Sequence, residues 1–217
     1  ATSTDTFKLQ IIPINDPPVL TALSVEDVVF TTSNGLTIQE DATAAIVIDI
    51  EDLDSDQLIS YELEQSSTSI IGLDLSVVSL SDTRQAILDI STVADQFGVV
   101  TVTINATDDA FFPATEVFSF DITVLSVNDQ PTFNFRSIAK SQVVNEDSAA
   151  TTYYQLFDTV SIGPSNESNQ TAEFILSTDN DAMFSVSPNI TQSGYLSYTL
   201  AEDKNGTVNF TVLLEDS

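Results

Sequence analysis

The sequence contains no cysteine, no histidine and no tryptophan, and only five lysines and arginines stand against 33 acids. Without cysteine the core has to hold without disulfides or thiolate metal sites. Without histidine the commonest general base and the commonest transition-metal ligand are missing. A net charge of −28 excludes the lysine and arginine clusters that nucleic acid or an anionic membrane surface requires. No apolar run approaches the length of a membrane span. Ala1 opens a polar Thr/Ser stretch unlike a secretory leader, so the chain reads as processed or as cut from something longer.

A charge of this size opposes compaction unless salt or bound cations screen it. An acidic disordered chain would lack β-branched and aromatic residues. Here Val, Ile, Thr and Phe abound, and 42% of residues are apolar, so packed cores are expected.

The apolar residues alternate. Phe118, Phe120, Ile122 and Val124 fall on one face, with Ser119, Asp121 and Thr123 on the other. Val100, Val102, Ile104 and Ala106 alternate with Thr101, Thr103 and Asn105. This period predicts half-buried antiparallel strands. The expected strands are 19–25, 28–33, 36–39, 43–50, 57–64, 69–78, 85–90, 98–107 and 116–127, then 133–144, 150–157, 170–177, 183–187, 194–200 and 206–214. Asn34-Gly35 reads as a hairpin turn. The fold class is therefore all-β, as two tandem Greek-key β-sandwiches.

A repeat organises these strands. Phe7 to Asp16 aligns without gaps on Phe120 to Asp129, and each segment ends in Asn-Asp-x-Pro. Ile38 to Asp41 matches Val144 to Asp147, and Val93 to Asp109 resembles Leu200 to Ser217. The phase assigns residues 1–14 to the last strand of a preceding or partner domain. Residues 15–129 form one sandwich, and 130–217 a second that lacks its own last strand. Proline suits the extended linker because it cannot continue a central strand.

The acids cluster at Asp49, Glu51, Asp52, Asp54 and Asp56, and again at Glu40-Asp41, Asp108-Asp109, Glu146-Asp147 and Glu215-Asp216. Crowded carboxylates repel, and a hard divalent cation relieves them by accepting six to eight oxygens. A solvated acidic loop that keeps the protein soluble is the alternative. Asp52 and Asp54 alone fit either reading; with Asn15, Asp16 and Asp108 the pattern favours calcium.

This order of motifs resembles the cadherin-like tandem repeats of large extracellular proteins. Gln39-Glu40-Asp41 resembles their glutamate motif, Asp52-Leu53-Asp54 their Asp-x-Asp, and Ala106-Thr107-Asp108 their Ala-x-Asp. Asn128-Asp129-Gln130-Pro131 resembles the linker, with Ser126 where an aspartate would be. The resemblance implies two calcium-binding junctions. One uses Asn15, Asp16, Asp52, Asp54 and Asp108; the other uses Glu40, Asn128, Asp129, Asp158 and Asp216. In the second repeat Asp158-Thr159-Val160 breaks the Asp-x-Asp, so fewer or weaker ions are implied there. Asp89 or Asp95 would stand in for the family's Asp-Arg-Glu.

Six Asn-x-Ser/Thr sequons occur, at Asn105, Asn166, Asn169, Asn189, Asn205 and Asn209. Glycans are expected at some of them in a secreted eukaryotic protein, and ordinary polar loops are the alternative. Paired carboxylates could serve a glycosidase, but with 33 acids pairs arise by chance. Tyr153-Tyr154 and Phe111-Phe112 read as packing residues rather than ligand contacts. The expectation is a non-enzymatic extracellular or cell-surface module for structure or adhesion, stiffened by calcium at its linkers. Its partners would be neighbouring repeats or copies of itself. Donation of residues 6–14 into the second sandwich of a neighbour would build a filament; the alternative is a chain cut out of phase from a longer tandem array. The alternative is a calcium-dependent, lectin-like module of a surface adhesin that binds a glycan or a surface protein.

Overall fold

The computed structural model describes residues 1–54, 58–79, 82–148 and 154–217. The chain divides into two compact units, Ala1–Val127 and Asn128–Ser217. Both are built from strands, with short 3-10 turns in unit 2 and no α-helix among the described residues.

In unit 1, residues 1–18 carry no regular structure. Nine strands follow: β1 Val19–Val25, β2 Val28–Phe30, β3 Leu36–Gln39, β4 Thr43–Glu51, β5 Ile59–Gln65, β6 Ile71–Ser79, β7 Asp82–Thr92, β8 Gly98–Asp108 and β9 Thr115–Leu125. They form two sheets, in the orders β2-β1-β4-β7-β6 and β3-β9-β8-β5. All neighbours are antiparallel except β3 and β9, which run parallel from Leu36↔Ile122 to Gln39↔Leu125.

The alternation read in the sequence is the burial pattern. Ile46, Ile48 and Ile50 of β4 face Val100, Val102 and Ile104 of β8 and Phe118, Phe120 and Ile122 of β9 in one core. Full burial of each such side chain contributes about 1.5–3 kcal/mol. Phe30 closes one side, edge-on to Phe120 with ring centroids 5.8 Å apart. The outer face of the β8–β9 pair is a polar ladder. Thr101 Oγ1 donates to Asp121 Oδ1 at 2.7 Å, and Thr103 and Ser119 share a hydroxyl bond of 2.8 Å. Threonine thus satisfies both the sheet preference and the solvent on that face.

Asn34-Gly35 is a turn but not a hairpin. Gly35 N donates to Thr31 O at 3.0 Å, yet β2 pairs with β1 while β3 pairs with β9. The turn carries the chain from one sheet to the other, which is why the flanking strands do not meet.

Unit 2 contains β10 Thr132–Phe135, β11 Tyr154–Gln155, β12 Phe157–Ser161, β13 Ala172–Thr178, β14 Phe184–Ile190, β15 Tyr195–Leu200 and β16 Phe210–Asp216. The hydrogen-bonded groups are β10-β12, β11-β15-β14 and β13-β16. The strand expected over 133–144 stops at Phe135 and passes into the 3-10 turn Ser137–Lys140. The strand expected over 150–157 is resolved as β11 and β12, and its first residues, Tyr153 included, lie outside the described residues. The core is smaller than that of unit 1 and aromatic. Phe157 stacks on Phe174 with centroids 4.6 Å apart, and Phe133 meets both rings edge-on.

The repeat is visible in the backbone. Asp41 and Asp95 of unit 1 have φ of 58°, and Asp147 and Asp203, their counterparts in unit 2, have 56° and 55°. Aspartate tolerates this left-handed region better than most residues. One contrast stands out. In unit 1, β8 bonds to β5 on one side and β9 on the other. In unit 2, β16 bonds only to β13 among the described residues. Beside β16, residues 139–146 and 204–212 border a groove of about 840 Å³ with Leu156, Tyr198 and Phe210 in its lining.

Asp179, just after β13, clamps the start of β16. Asn209 donates to its two carboxylate oxygens, by the backbone N–H at 2.9 Å and by Nδ2 at 2.7 Å.

Two outcomes test this description. Gly35 has φ +62°, and a Cβ there would overlap the Asp121 carbonyl oxygen. Gly35→Ala therefore destabilises the chain by about 2 kcal/mol or more in chemical denaturation. The bonds from the Asn209 backbone and side chain hold the Asp179 carboxyl below its ordinary value of 3.8. A depressed carboxylate stabilises the fold above its unfolded pKa, and that contribution is lost as pH falls through the folded value. Carboxyl-detected NMR should show Asp179 titrating below 3.8, and Asn209→Ala should move its midpoint upward; a midpoint insensitive to Asn209 refutes the clamp.

Candidate metal centres

Asp108 ends β8 on the row that Val100, Val102, Ile104 and Ala106 send into the core, and it is only 3% exposed. A carboxylate there needs donors. Asn15 Nδ2 supplies one at 2.9 Å, and the backbone N–H groups of Ala110 and Ala114 supply others at 3.1 Å. Asn15 Nδ2 also reaches Phe112 O at 3.2 Å.

The residue after Asn15 ties the same end of the unit to the loop that follows β4. Asp16 N donates to Asp54 Oδ2 at 2.8 Å, and Asp54 N donates to Asp52 Oδ1 at 2.8 Å. The second oxygen of Asp52 is buried and accepts no hydrogen bond. The structure thus brings Asn15, Asp16, Asp52, Asp54 and Asp108 to one end of unit 1. Asp49 is directed away, its carboxylate accepting from Gln85 Nε2 at 2.7 Å. Asp56 lies outside the described residues.

Unit 2 repeats the arrangement with different residues. Asn128 Nδ2 donates to Asp216 Oδ1 at 3.1 Å, as Asn15 does to Asp108. Asp129 N donates to Glu167 Oε1 at 2.9 Å, as Asp16 does to Asp54. Gln170 Nε2 donates to Asn128 Oδ1 at 2.8 Å. Glu167 closes the 3-10 turn Ser165–Glu167 and is 7% exposed.

Asp158 is not part of this group. It lies on β12 with its side chain 63% exposed, paired with Arg136 at 3.5 Å. The Asp-x-Asp of unit 1 sits in the loop after β4, whereas Asp158 is inside its strand, so the sequence match was one loop too early. Glu167 occupies the loop position. It was legible in principle: the 113-residue step from Asn15 to Asn128 also leads from Asp54 to Glu167. Gln170, with no acidic counterpart, gave no such signal.

Glu40 belongs to unit 1. It is 2% exposed, and its Oε1 accepts from Val127 N at 2.8 Å at the end of β9. Asp89 lies mid-strand on β7, opposite Ala45 and Asp74, and Asp95 sits in the left-handed turn before β8. Within either unit, no three described carboxylates bring oxygens to within 4.8 Å of one another.

Phe111 and Phe112 are 91% and 78% exposed, contrary to a packing role; they contact each other edge-on at 4.8 Å between centroids. The loop from Asp109 to Pro113 is held outward by the Asp108 and Asn15 bonds, so its rings have no core to reach. Tyr154 does pack, against the unit 2 core. Of the sequons, Asn169, Asn189 and Asn205 are exposed, Asn105 and Asn166 are half-buried, and the Asn209 amide is engaged by Asp179.

Neither a family model nor a curated protein sequence matches the chain. Among solved structures it is similar to the extracellular cadherin domains 1–5 of protocadherin gamma B2, at 17% identity and a TM-score of 0.46, over 95% of this chain and 41% of that one. It is similar to human CDH23 EC21-23 at 18% identity and a TM-score of 0.46, over 94% and 65%. It is also similar to domains 1-6 of the surface layer protein SbsC, at 13% identity and a TM-score of 0.36, over 93% and 24%. The chain spans less than two thirds of the length of each of these proteins.

Proposed function

We propose that the chain is a non-enzymatic, extracellular structural or adhesive repeat module, and that calcium binds the acidic cluster at the end of unit 1. The observation that carries this reading is the set Asn15, Asp16, Asp52, Asp54 and Asp108. It comprises four carboxylates and an amide from three separate segments, with one buried Asp52 oxygen accepting no hydrogen bond. All candidate donors are oxygens, which suits a hard cation rather than zinc or copper. Calcium bonds oxygen at about 2.3–2.6 Å in a tolerant geometry. No three of these carboxylates bring oxygens to within 4.8 Å of one another, as expected of unscreened like charges. Binding draws them together. It fastens the Asn15-Asp16 linker to the loop after β4 and to the end of β8, and so stiffens the entry to the sandwich.

A ligand at a hundredfold excess over its Kd contributes about 2.7 kcal/mol, or on the order of 10 °C in Tm for a domain of this size. Melting with excess calcium against EDTA should show a rise of that order. Asp54→Asn should remove most of the rise while leaving the EDTA melt nearly unchanged. Equal melts in calcium and EDTA would refute the reading.

A second reading concerns the groove beside β16. Residues 7–14 align with residues 120–127, from the second half of β9 onward, and share their apolar alternation, and Phe7, Leu9, Ile11 and Ile14 are all exposed. In unit 1, Val102 faces Phe120 and Val100 faces Ile122. Transferred through the repeat, this register sets Phe7 of a second copy opposite Phe210, and Leu9 opposite Val208. The donated strand would bond to the open edge of β16 and cover the groove. A peptide of residues 1–14 should bind a chain from which those residues are deleted, and a peptide with its alternation scrambled should not. A chain that stays monomeric at high concentration and ignores the peptide rules this reading out.

A further inference from the structure

We infer that Glu146 is the receptor carboxylate of the groove in unit 2. It accepts the Ile14 N–H of the entering strand and lays residues 142–145 along that strand as a new parallel neighbour. This rests on the strand-entry reading above and adds the residue that fixes the register and the segment that folds on contact.

Unit 1 shows the finished arrangement. Glu40 directly follows β3, and it grips the end of β9 at two points. Glu40 N donates to Leu125 O at 2.9 Å, and Glu40 Oε1 accepts from Val127 N at 2.8 Å. The residue is 2% exposed. A carboxylate so buried needs donors, and a bond to a charged acceptor is roughly twice as strong as a neutral one. The glutamate thus locks the parallel ladder that Leu36–Gln39 makes with β9.

Unit 2 holds the receiving half of the same device. Glu146 and Asp147 correspond to Glu40 and Asp41. The bend after the glutamate is already formed, with φ of 58° at Asp41 and 56° at Asp147. Asp203 N donates to Asp147 Oδ1 at 2.9 Å and ties this corner to the turn ahead of β16. Yet residues 141–146 form no strand and are all exposed, Glu146 included. The bond that Glu146 Oε2 accepts from Asn205 Nδ2 is long, at 3.4 Å. The corner has the backbone of unit 1 and the exposure of a loop. It borders the groove together with Gln142, Val143 and Val144.

The occupant is residues 7–14 of a second copy. Carried through the repeat, Leu36↔Ile122 and Gln39↔Leu125 become Gln142↔Leu9 and Asn145↔Ile12. The Val127 N–H becomes that of Ile14. The step that sets Phe7 against Phe210 also sets Ile14 at Glu146, so one strand satisfies both of its neighbours in a single register. A slip of one residue would turn the apolar face outward. In one direction it would also bring Pro13, which has no N–H, to the carboxylate. Charge agrees: residues 6–15 hold one lysine and no acid in a chain with 33 acids, so the segment nears Glu146 without repulsion.

The test is amide NMR of the full isotopically labelled chain, titrated with an unlabelled peptide of residues 1–16. The Val208 and Phe210 amides should shift as the peptide binds. Residues 142–145 should take on the Cα and Cβ shifts of a strand with the same midpoint. Glu146→Ala should weaken the peptide about tenfold, and so should an ester in place of the Pro13–Ile14 amide, which removes that N–H. The two changes together should cost no more than either alone. Shifts at Val208 and Phe210 with 142–145 unmoved, or equal affinity for the amide and ester peptides, overturn this inference and leave strand entry standing. Silence at Val208 and Phe210 overturns both, and the groove then belongs to another occupant. If Glu146→Ala fails to fold, the ester peptide still decides, because the chain it meets is unaltered.

Discussion

The pleat of a β-strand sends alternate side chains to the same side, and at β8 that rule is carried one residue beyond the apolar row. Val100, Val102, Ile104 and Ala106 enter the core, and the next inward position is Asp108. A charge has been placed where a hydrophobic residue would sit. Everything at that end of the unit answers it: the Asn15 amide, the N–H groups of Ala110 and Ala114, and the outward path of the Phe111-Phe112 loop. Asp216 repeats the device at the end of β16, with Asn128 as its donor. The acidic ends are thus continuous with the cores, and the strand that packs a sandwich also aims a carboxylate.

Strand alternation was the most legible property of the sequence. β4, β8 and β9 bury the residues that their period-2 pattern exposes to reading, because each has one wet face and one dry face. What the pattern could not convey is which strands pair. Asn34-Gly35 has the composition of a hairpin turn, but β2 and β3 join different sheets, and local turn chemistry does not encode that choice. The long strand expected near Phe133 failed for a related reason. Its residues 141–146 border an open groove, and alternation there is not accompanied by a neighbouring strand.

The site was legible in part. Asn15, Asp16, Asp52, Asp54 and Asp108 could be collected from the sequence because closely spaced acids at strand ends are conspicuous. Their counterparts in unit 2 are less so. Asp158 looks like the expected acid and is a solvent-exposed strand residue held by Arg136. Glu167 sits among Ser165, Asn166 and Ser168, with no second acid to mark it, and only the backbone turn shows that it reaches Asp129. Gln170 is invisible to any search for charge, since its part is to orient an amide.

The parallel pairing of β3 with β9 has a kinetic side. Leu36 meets Ile122, and Gln39 meets Leu125, so the sheet closes only after nearly the whole unit has been synthesised. Contacts this distant along the chain carry a large loop-closure cost and slow folding. On the ribosome, β3 must wait unpaired while β4 to β8 are made. Its four residues alternate Leu and Ile with Thr and Gln, a composition short and polar enough to limit association with other nascent chains during that delay.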